Sequence, residues 1–147
     1  MKKLLVLFVA VLLVSCNSQK KFTDFDISYA RSGGYAPIYE NFLIKGNSAH
    51  YSFEGQGKNF KKDVTITNEE LSRIQSALKT NNFRFIEADH LKIYDNITTT
   101  INVKNGEESA VKNDGSGIMP KDQKKWENVT KVFRSIIDSK ISNSQEK

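Results

Sequence analysis

Three segments between residues 25 and 54 alternate apolar and polar residues with the period of half-buried strands. Phe25–Tyr29 has this alternation, and Tyr39–Lys45 and Ala49–Glu54 are two further strand candidates. Gly46-Asn47 lies between these two, and such residues favour a two-residue hairpin turn because they tolerate a positive φ. We therefore predict a strand followed by an antiparallel hairpin, with Arg31–Gly34 forming a loop between them.

Two later segments have a helical period instead. Thr67 and Glu70 have the spacing of a capping box, in which each residue bonds to the backbone of the other. Apolar residues then repeat on one helical face: Leu71, Ile74 and Leu78. Pro120 can begin a second helix, whose apolar stripe contains Trp126, Val129, Val132, Phe133, Ile136 and Ile137.

The remaining apolar segments complete a sheet. Val64 and Ile66 indicate a short strand before the first helix, and Phe83–Ile86 indicates another after it. Ile97–Val103 has β-branched residues on one face, and Asn105-Gly106 then favours a hairpin turn. We predict an α+β domain, with an antiparallel sheet of five to six strands, joined by hairpins, and two amphipathic helices packed on one face.

The N-terminus has the organisation of an export signal. Lys2 and Lys3 precede the apolar run Leu4–Val14, which is too short to span a bilayer at about 1.5 Å per residue. Leu13-Val14-Ser15-Cys16 follows, and this resembles the lipobox of bacterial lipoproteins. The resemblance implies cleavage before Cys16, a diacylglycerol on its thiol, and a membrane anchor.

The domain boundaries follow from these features. We predict a signal peptide at 1–15, a lipidated cysteine and tether at 16–24, one α+β domain at 25–140, and a disordered tail at 141–147. The formal charge of the 147 residues is +5. Cleavage would remove two lysines and no acids, leaving 20 basic and 17 acidic residues and a charge of +3. This modest charge gives no support for nucleic-acid binding.

The residues after the cysteine predict where in the cell envelope the protein lies. Asn17 stands where the lipoproteins of bacteria with two membranes often have an inner-membrane retention aspartate, and Ser18–Lys21 is basic rather than acidic. By this resemblance we expect an outer-membrane lipoprotein of the cell envelope, facing the periplasm.

The stretch from Ile27 to Asp138 is also similar to a bacterial domain family of unknown function found in secreted and lipid-anchored proteins. The matching features are Ile27-Ser28-Tyr29, Gly33-Gly34, Ala36-Pro37-Ile38-Tyr39, Phe53-Glu54-Gly55, Tyr94-Asp95 and Ile136-Ile137-Asp138. Tyr35 and Ala36 occupy the region where that family often has cysteines. The resemblance implies a fold but no activity.

Candidate chemistry in the sequence is sparse. Glu87, Asp89, His90 and Asp95 form the closest approach to an acid–base or divalent-cation cluster, but their spacing matches no cation loop. His50 and His90 are far apart in sequence, and no glycine-rich phosphate loop is present. We therefore expect no cofactor, and we interpret the acidic cluster as a solvated loop.

A possible interaction surface is composed of basic and aromatic residues, namely Lys58, Lys61, Lys62, Tyr35 and Tyr39. Lysines can contact anionic groups, and tyrosine combines apolar area with a polar tip. A second basic run contains Lys121, Lys124 and Lys125.

These features favour a lipid-anchored, non-enzymatic binding module of the cell envelope, with another protein or a cell-wall component as its partner. An inhibitor or immunity-type protein is one form of this hypothesis. The alternative is a small periplasmic hydrolase that uses carboxylates such as Glu54, Glu87 or Asp95.

Overall fold

The computed structural model describes residues 24–91 and 93–142. The helices and strands follow in this order: β1 Ile27–Gly33, β2 Ile38–Lys45, β3 Ser48–Gly55, β4 Lys58–Thr65, α1 Asn68–Thr80, a 3₁₀ helix Phe83–Phe85, β5 Ile97–Val103, β6 Ala110–Asn113 and α2 Pro120–Ser142. The predicted signal peptide and all of the predicted tether except Asp24 lie outside the described residues.

The six strands form one antiparallel sheet in the order β4-β3-β2-β1-β5-β6. Both helices pack on the same face, where buried residues from α1 and α2 join alternate residues of the strands in one core. Tyr29 of β1 stacks on Phe133 of α2 with ring centroids 5.3 Å apart. This arrangement confirms the predicted α+β class, the strand number and the placement of both helices.

Local sequence signals set several boundaries as expected. Gly46-Asn47 forms the turn between β2 and β3, and Gly46 has a φ of +54°. The Thr67 hydroxyl accepts from the Glu70 amide, and the Glu70 carboxylate accepts from the Thr67 amide, so the capping box is present. Pro120 is the first residue of α2.

Several local predictions were wrong. The short strand at Val64 and Ile66 is in fact β4, which is eight residues long, pairs with β3 along its whole length and ends at Thr65. Arg31–Gly33 is not a loop but the end of β1, because this central strand pairs with β2 on one side and β5 on the other. Phe83–Phe85 is a 3₁₀ helix rather than a strand, and it buries Phe83 and Ile86, three residues apart, while Phe85 is exposed. The predicted hairpin between β5 and β6 is present, but its loop is longer than two residues, and the Ser109 hydroxyl bonds to the carbonyl of Val103 within it.

The C-terminal helix extends past the expected end of the domain at residue 140. Ile141 and Ser142, assigned from the sequence to the tail, are the last two residues of α2, and Ile141 packs against the core. Residues 143–147 lie outside the described residues.

Candidate functional site

A buried carboxylate lies under the second helix. Glu40 of β2 occupies a position between Ile38 and Phe42 on the core side of the sheet, and only 3% of its surface is exposed. In the strand pairing it is directly opposite Arg31 of β1. A charged group in such a place must have strong partners, because removing a carboxylate from water costs several kcal/mol.

Glu40 receives hydrogen bonds from three side chains. Nη1 of Arg134 lies 2.8 Å from Oε1 and 2.9 Å from Oε2 of Glu40. Nη1 of Arg31 donates to Oε2 at 3.1 Å, and the Tyr51 hydroxyl donates to Oε1 at 2.9 Å. Arg134 also donates from Nη2 to Asp138, one helical turn further on. The network therefore joins β1, β2 and β3 to α2.

Burial and the charges of this network shift the pKa values of two tyrosines and of Arg134. Burial raises the pKa of Tyr51, and the charge of Glu40 raises it further. Burial likewise raises the pKa of Tyr29, against an opposing effect of the Arg134 charge. For Arg134 burial favours the neutral form, but the Glu40 charge outweighs it and the pKa is raised. Both tyrosines thus stay protonated beyond the ordinary range, and Arg134 stays charged.

A shallow, open cleft lies beside this network, and we call it the arginine cleft. It has a volume of about 520 Å³ and lies between α2 and strands β1 and β5. Its walls include Tyr29, Arg31, Thr99, Glu127, Thr130 and Arg134. Arg31 and Thr99 are directly opposite in the β1–β5 pairing, so both side chains are on the same face of the sheet.

The Asp114 carboxylate connects β5 and α2 at one end of the cleft. Its Oδ1 accepts from the backbone amide of Thr99 at 2.6 Å, and its Oδ2 accepts from Nε1 of Trp126 at 3.0 Å. One carboxylate thus fixes the loop after β6 against both β5 and α2. The neighbouring Gly115-Ser116-Gly117 belongs to this structural turn.

The second face of the sheet lies opposite the helices, and we call it the open face. Strand pairing defines one row across it: Lys61, Ser52, Asn41, Ala30 and Thr100. A neighbouring row contains Asp63, His50, Leu43, Ser28 and Asn102. Most of these residues are small or polar, and within the described chain both helices pack on the other side.

The structure divides the residues of the predicted interaction surface. Tyr39 and Lys61 lie on the open face, about 12 Å apart, because they are separated by two strand spacings and by two residues along the strands. Lys58 and Lys62 lie on the opposite face, where Nζ of Lys62 donates to the carbonyl of Lys140. Tyr35 is 95% exposed in the turn between β1 and β2.

The acidic loop residues have local partners instead of converging on a site. Glu87 forms an ion pair with Lys121 at 2.6 Å, and Asp89 accepts from the His90 amide. Across residues 24–91 and 93–142, no group of three or more His, Cys, Asp or Glu residues is arranged to hold a metal ion. His50 lies on the open face, 2.6 Å from a carboxylate oxygen of Asp63.

The lysines at the start of α2 are partly engaged within the fold. Lys125 pairs at 2.7 Å with Asp122, whose carboxylate also accepts from the Glu87 amide. The Lys125 hydrogen bond lowers the pKa of Asp122 against the effect of burial.

The carboxylates of the hydrolase hypothesis are dispersed. Glu54 is on the open face, whereas Glu87 lines a separate cavity of about 510 Å³ that also includes His90. Asp95 has a φ of +57° in the loop before β5, and it does not line that cavity.

No family model matches the chain, and no curated protein matches it. Cys16 lies outside the described residues, so lipidation stays a prediction. Within 24–91 and 93–142, no helix has the length and apolar character needed to cross a membrane.

Sequence reasoning missed the Glu40 network and the arginine cleft. A signal was available for Glu40, because it alternates with Ile38, Phe42 and Ile44 and is therefore a charge on an apolar strand face. Its main partner could not be identified, since Arg134 is 94 residues away in the chain.

Proposed function

We propose that this protein is a lipid-anchored protein of the cell envelope, a non-enzymatic binding module held at the periplasmic side of the outer membrane. The membrane part of this proposal is supported by the lipobox residues that end at Cys16. Two or three acyl chains on one cysteine give a stable anchor, whereas one gives only reversible binding.

The binding part is carried by one observation, the open face of the sheet. The described helices bury the other face, and the strands present rows of small polar side chains on this one. Tyr39 stands on it with 56% of its surface exposed, beside the paired residue Glu54. A sheet face with an exposed tyrosine suits contact with a folded protein partner, because tyrosine contributes large contact area at low entropic cost.

The charge pattern of the open face also suits a protein. Lys45 pairs with Asp24 and Asp26, and Lys61 lies on the same face as Glu54 and Asp63, so the surface carries both signs. A strongly anionic polymer would favour a surface of one sign, whereas a protein partner can match a mixed pattern.

Site-specific photocross-linking in cells tests the binding proposal. A photoreactive residue at Asn41, in the middle of the open face, is compared with one at Ser72, which is exposed on α1. We expect a discrete cross-linked envelope protein from Asn41 and none from Ser72. Equal products from both positions, or a product from Ser72 alone, would contradict the proposal.

The anchor is tested separately by labelling cells with a palmitate analogue. The parent chain should incorporate the label and fractionate with the outer membrane, and Cys16→Ser should do neither. An unlabelled parent chain, or a Cys16→Ser chain that is processed and fractionates normally, would remove the anchor and leave the cross-linking test intact.

A further inference from the structure

The arginine cleft contains hydrogen-bond donors that the described chain does not use. Arg31 is 28% exposed at its side chain and makes one hydrogen bond there, from Nη1 to Glu40. Its Nη2 and Nε therefore have no partner among residues 24–91 and 93–142. The Thr99 hydroxyl, directly across from Arg31, also bonds to none of these residues, and its oxygen is accessible to solvent.

A guanidinium has its donors in a planar fork, which matches the two oxygens of a carboxylate or phosphate. Arg31 contacts Glu40 through Nη1 alone, and Arg134 and Tyr51 supply the other hydrogen bonds to that carboxylate. Arg31 therefore retains its Nη2 and Nε donors beside a shallow, open cleft that a small carboxylate can enter.

The surrounding charges limit the negative charge that a bound ligand can carry. Two arginines line the cleft, while Glu40 and Asp138 accept from them, and Asp114 and Glu127 line the same space. The excess of acids disfavours a doubly charged anion such as phosphate. A singly charged carboxylate beside Arg31 is tolerated better, since Coulomb repulsion grows with the ligand's charge.

We infer that the arginine cleft binds the carboxylate group of a small molecule. The free fork of Arg31 binds the two oxygens, and the Thr99 hydroxyl donates a further hydrogen bond to one of them. Tyr29 and Thr130 form the neighbouring walls. This site faces α2 and not the open face, so it is independent of the proposed partner surface.

The test is an NMR titration of the full chain in detergent micelles with sodium acetate, at constant ionic strength maintained with sodium chloride. We expect saturable shifts of the Arg31 Nε–H signal and of the Thr99 amide, with an affinity of roughly millimolar for so small a ligand. Sodium phosphate should bind more weakly than acetate. The D and L forms of N-acetylalanine then distinguish a carboxylate next to a D centre from one next to an L centre as the small-molecule ligand.

Variants assign the binding to named residues. Arg31→Gln should weaken acetate binding about tenfold or more, because a charge-assisted pair of bonds is lost. Arg84→Gln removes the same charge from an exposed position outside the cleft, and it should leave the affinity unchanged. Glu127→Gln removes a repelling charge and should strengthen binding. Thr99→Val retains every described ion pair and should weaken acetate binding several-fold.

Three results would overturn the inference. These are shifts that rise linearly without saturation, an Arg31→Gln chain that binds acetate as the parent does, and equal loss of affinity in Arg84→Gln. If Arg31→Gln does not fold, unchanged affinity in Thr99→Val together with no gain in Glu127→Gln overturns it equally.

Discussion

The two faces of the sheet are made from the same strands, whose alternate residues point to opposite sides, yet they differ in almost every physical respect. On the covered face Phe42 is fully buried, as is Phe133 of α2, and Glu40, the one acid that the described strands place on this face, is surrounded by donors. On the open face, Ser, Thr and Asn predominate and Tyr39 is more than half exposed. The covered face therefore supplies the stability of the domain, and the open face is free to vary its contacts at little cost to folding.

The largest test of this difference is the truncation of one large side chain on each face. Phe133→Ala should lower the free energy of unfolding by about 3–5 kcal/mol, because it removes buried area, leaves a cavity and ends the stacking on Tyr29. Leu43→Ala on the open face should cost less than about 1 kcal/mol. Urea denaturation measures both. Similar losses from the two variants would show that the open face is also part of a core.

A second test compares two glutamates on neighbouring strands. Glu40→Gln should lower the free energy of unfolding by about 2–3 kcal/mol, because Arg134 and Arg31 lose their shared counter-charge. This is less than for a fully buried pair, since water screens the partly exposed arginines. Glu54→Gln, on the exposed side of β3, is the control and should change stability by less than about 0.5 kcal/mol. The same urea experiment applies, and a Glu40→Gln chain as stable as Glu54→Gln would mean that the network contributes nothing.

Alkaline pH gives a third comparison, between a buried and an exposed tyrosine. The pKa of Tyr51 is raised above its ordinary value of 10.0 in the folded protein. Its contribution to stability is therefore complete below about pH 10 and is lost as the pH rises, because the unfolded chain releases the proton first. The loss from this residue should approach about 1.4 kcal/mol for each pH unit above 10.

Urea denaturation between about pH 9 and pH 11 measures this effect, as the difference between the parent chain and Tyr51→Phe. Tyr39→Phe is the matched control on the open face and should follow the parent. A Tyr51→Phe chain whose stability depends on alkaline pH as the parent's does would exclude this role for the hydroxyl.

The elements of the fold could be predicted because their signals are local. The alternation in β2 and β3, the Gly46-Asn47 turn and the capping box at Thr67 each depend on a few neighbouring residues. The end of β1 was missed because Arg31–Gly33 has the composition of a loop, and only pairing on both sides makes it a strand.

The candidate sites depended partly on local sequence signals and partly on contacts between distant parts of the chain. Strand alternation alone separates Lys61 from Lys58 and Lys62, so the division of that basic run between two faces was predictable from its spacing. The arginine cleft was not, because it joins Arg31, Thr99 and Arg134 from three distant parts of the chain. Only the packing of α2 on the sheet brings these residues together.

The smallest expected change in stability accompanies the most direct test of the open face. Tyr39→Ala should alter the free energy of unfolding by less than about 0.5 kcal/mol, because the side chain is already 56% exposed in the folded state. In cells, the same change should reduce the cross-linking of the Asn41 probe to its partner several-fold, since exposed aromatic residues are common binding hot spots. Phe85→Ala is the control, because Phe85 is 69% exposed on the 3₁₀ helix and lies away from the open face. If Phe85→Ala lowered the cross-linking yield as much as Tyr39→Ala, the two faces would no longer be distinguishable in binding, and the partner surface would have to include the helical side of the domain.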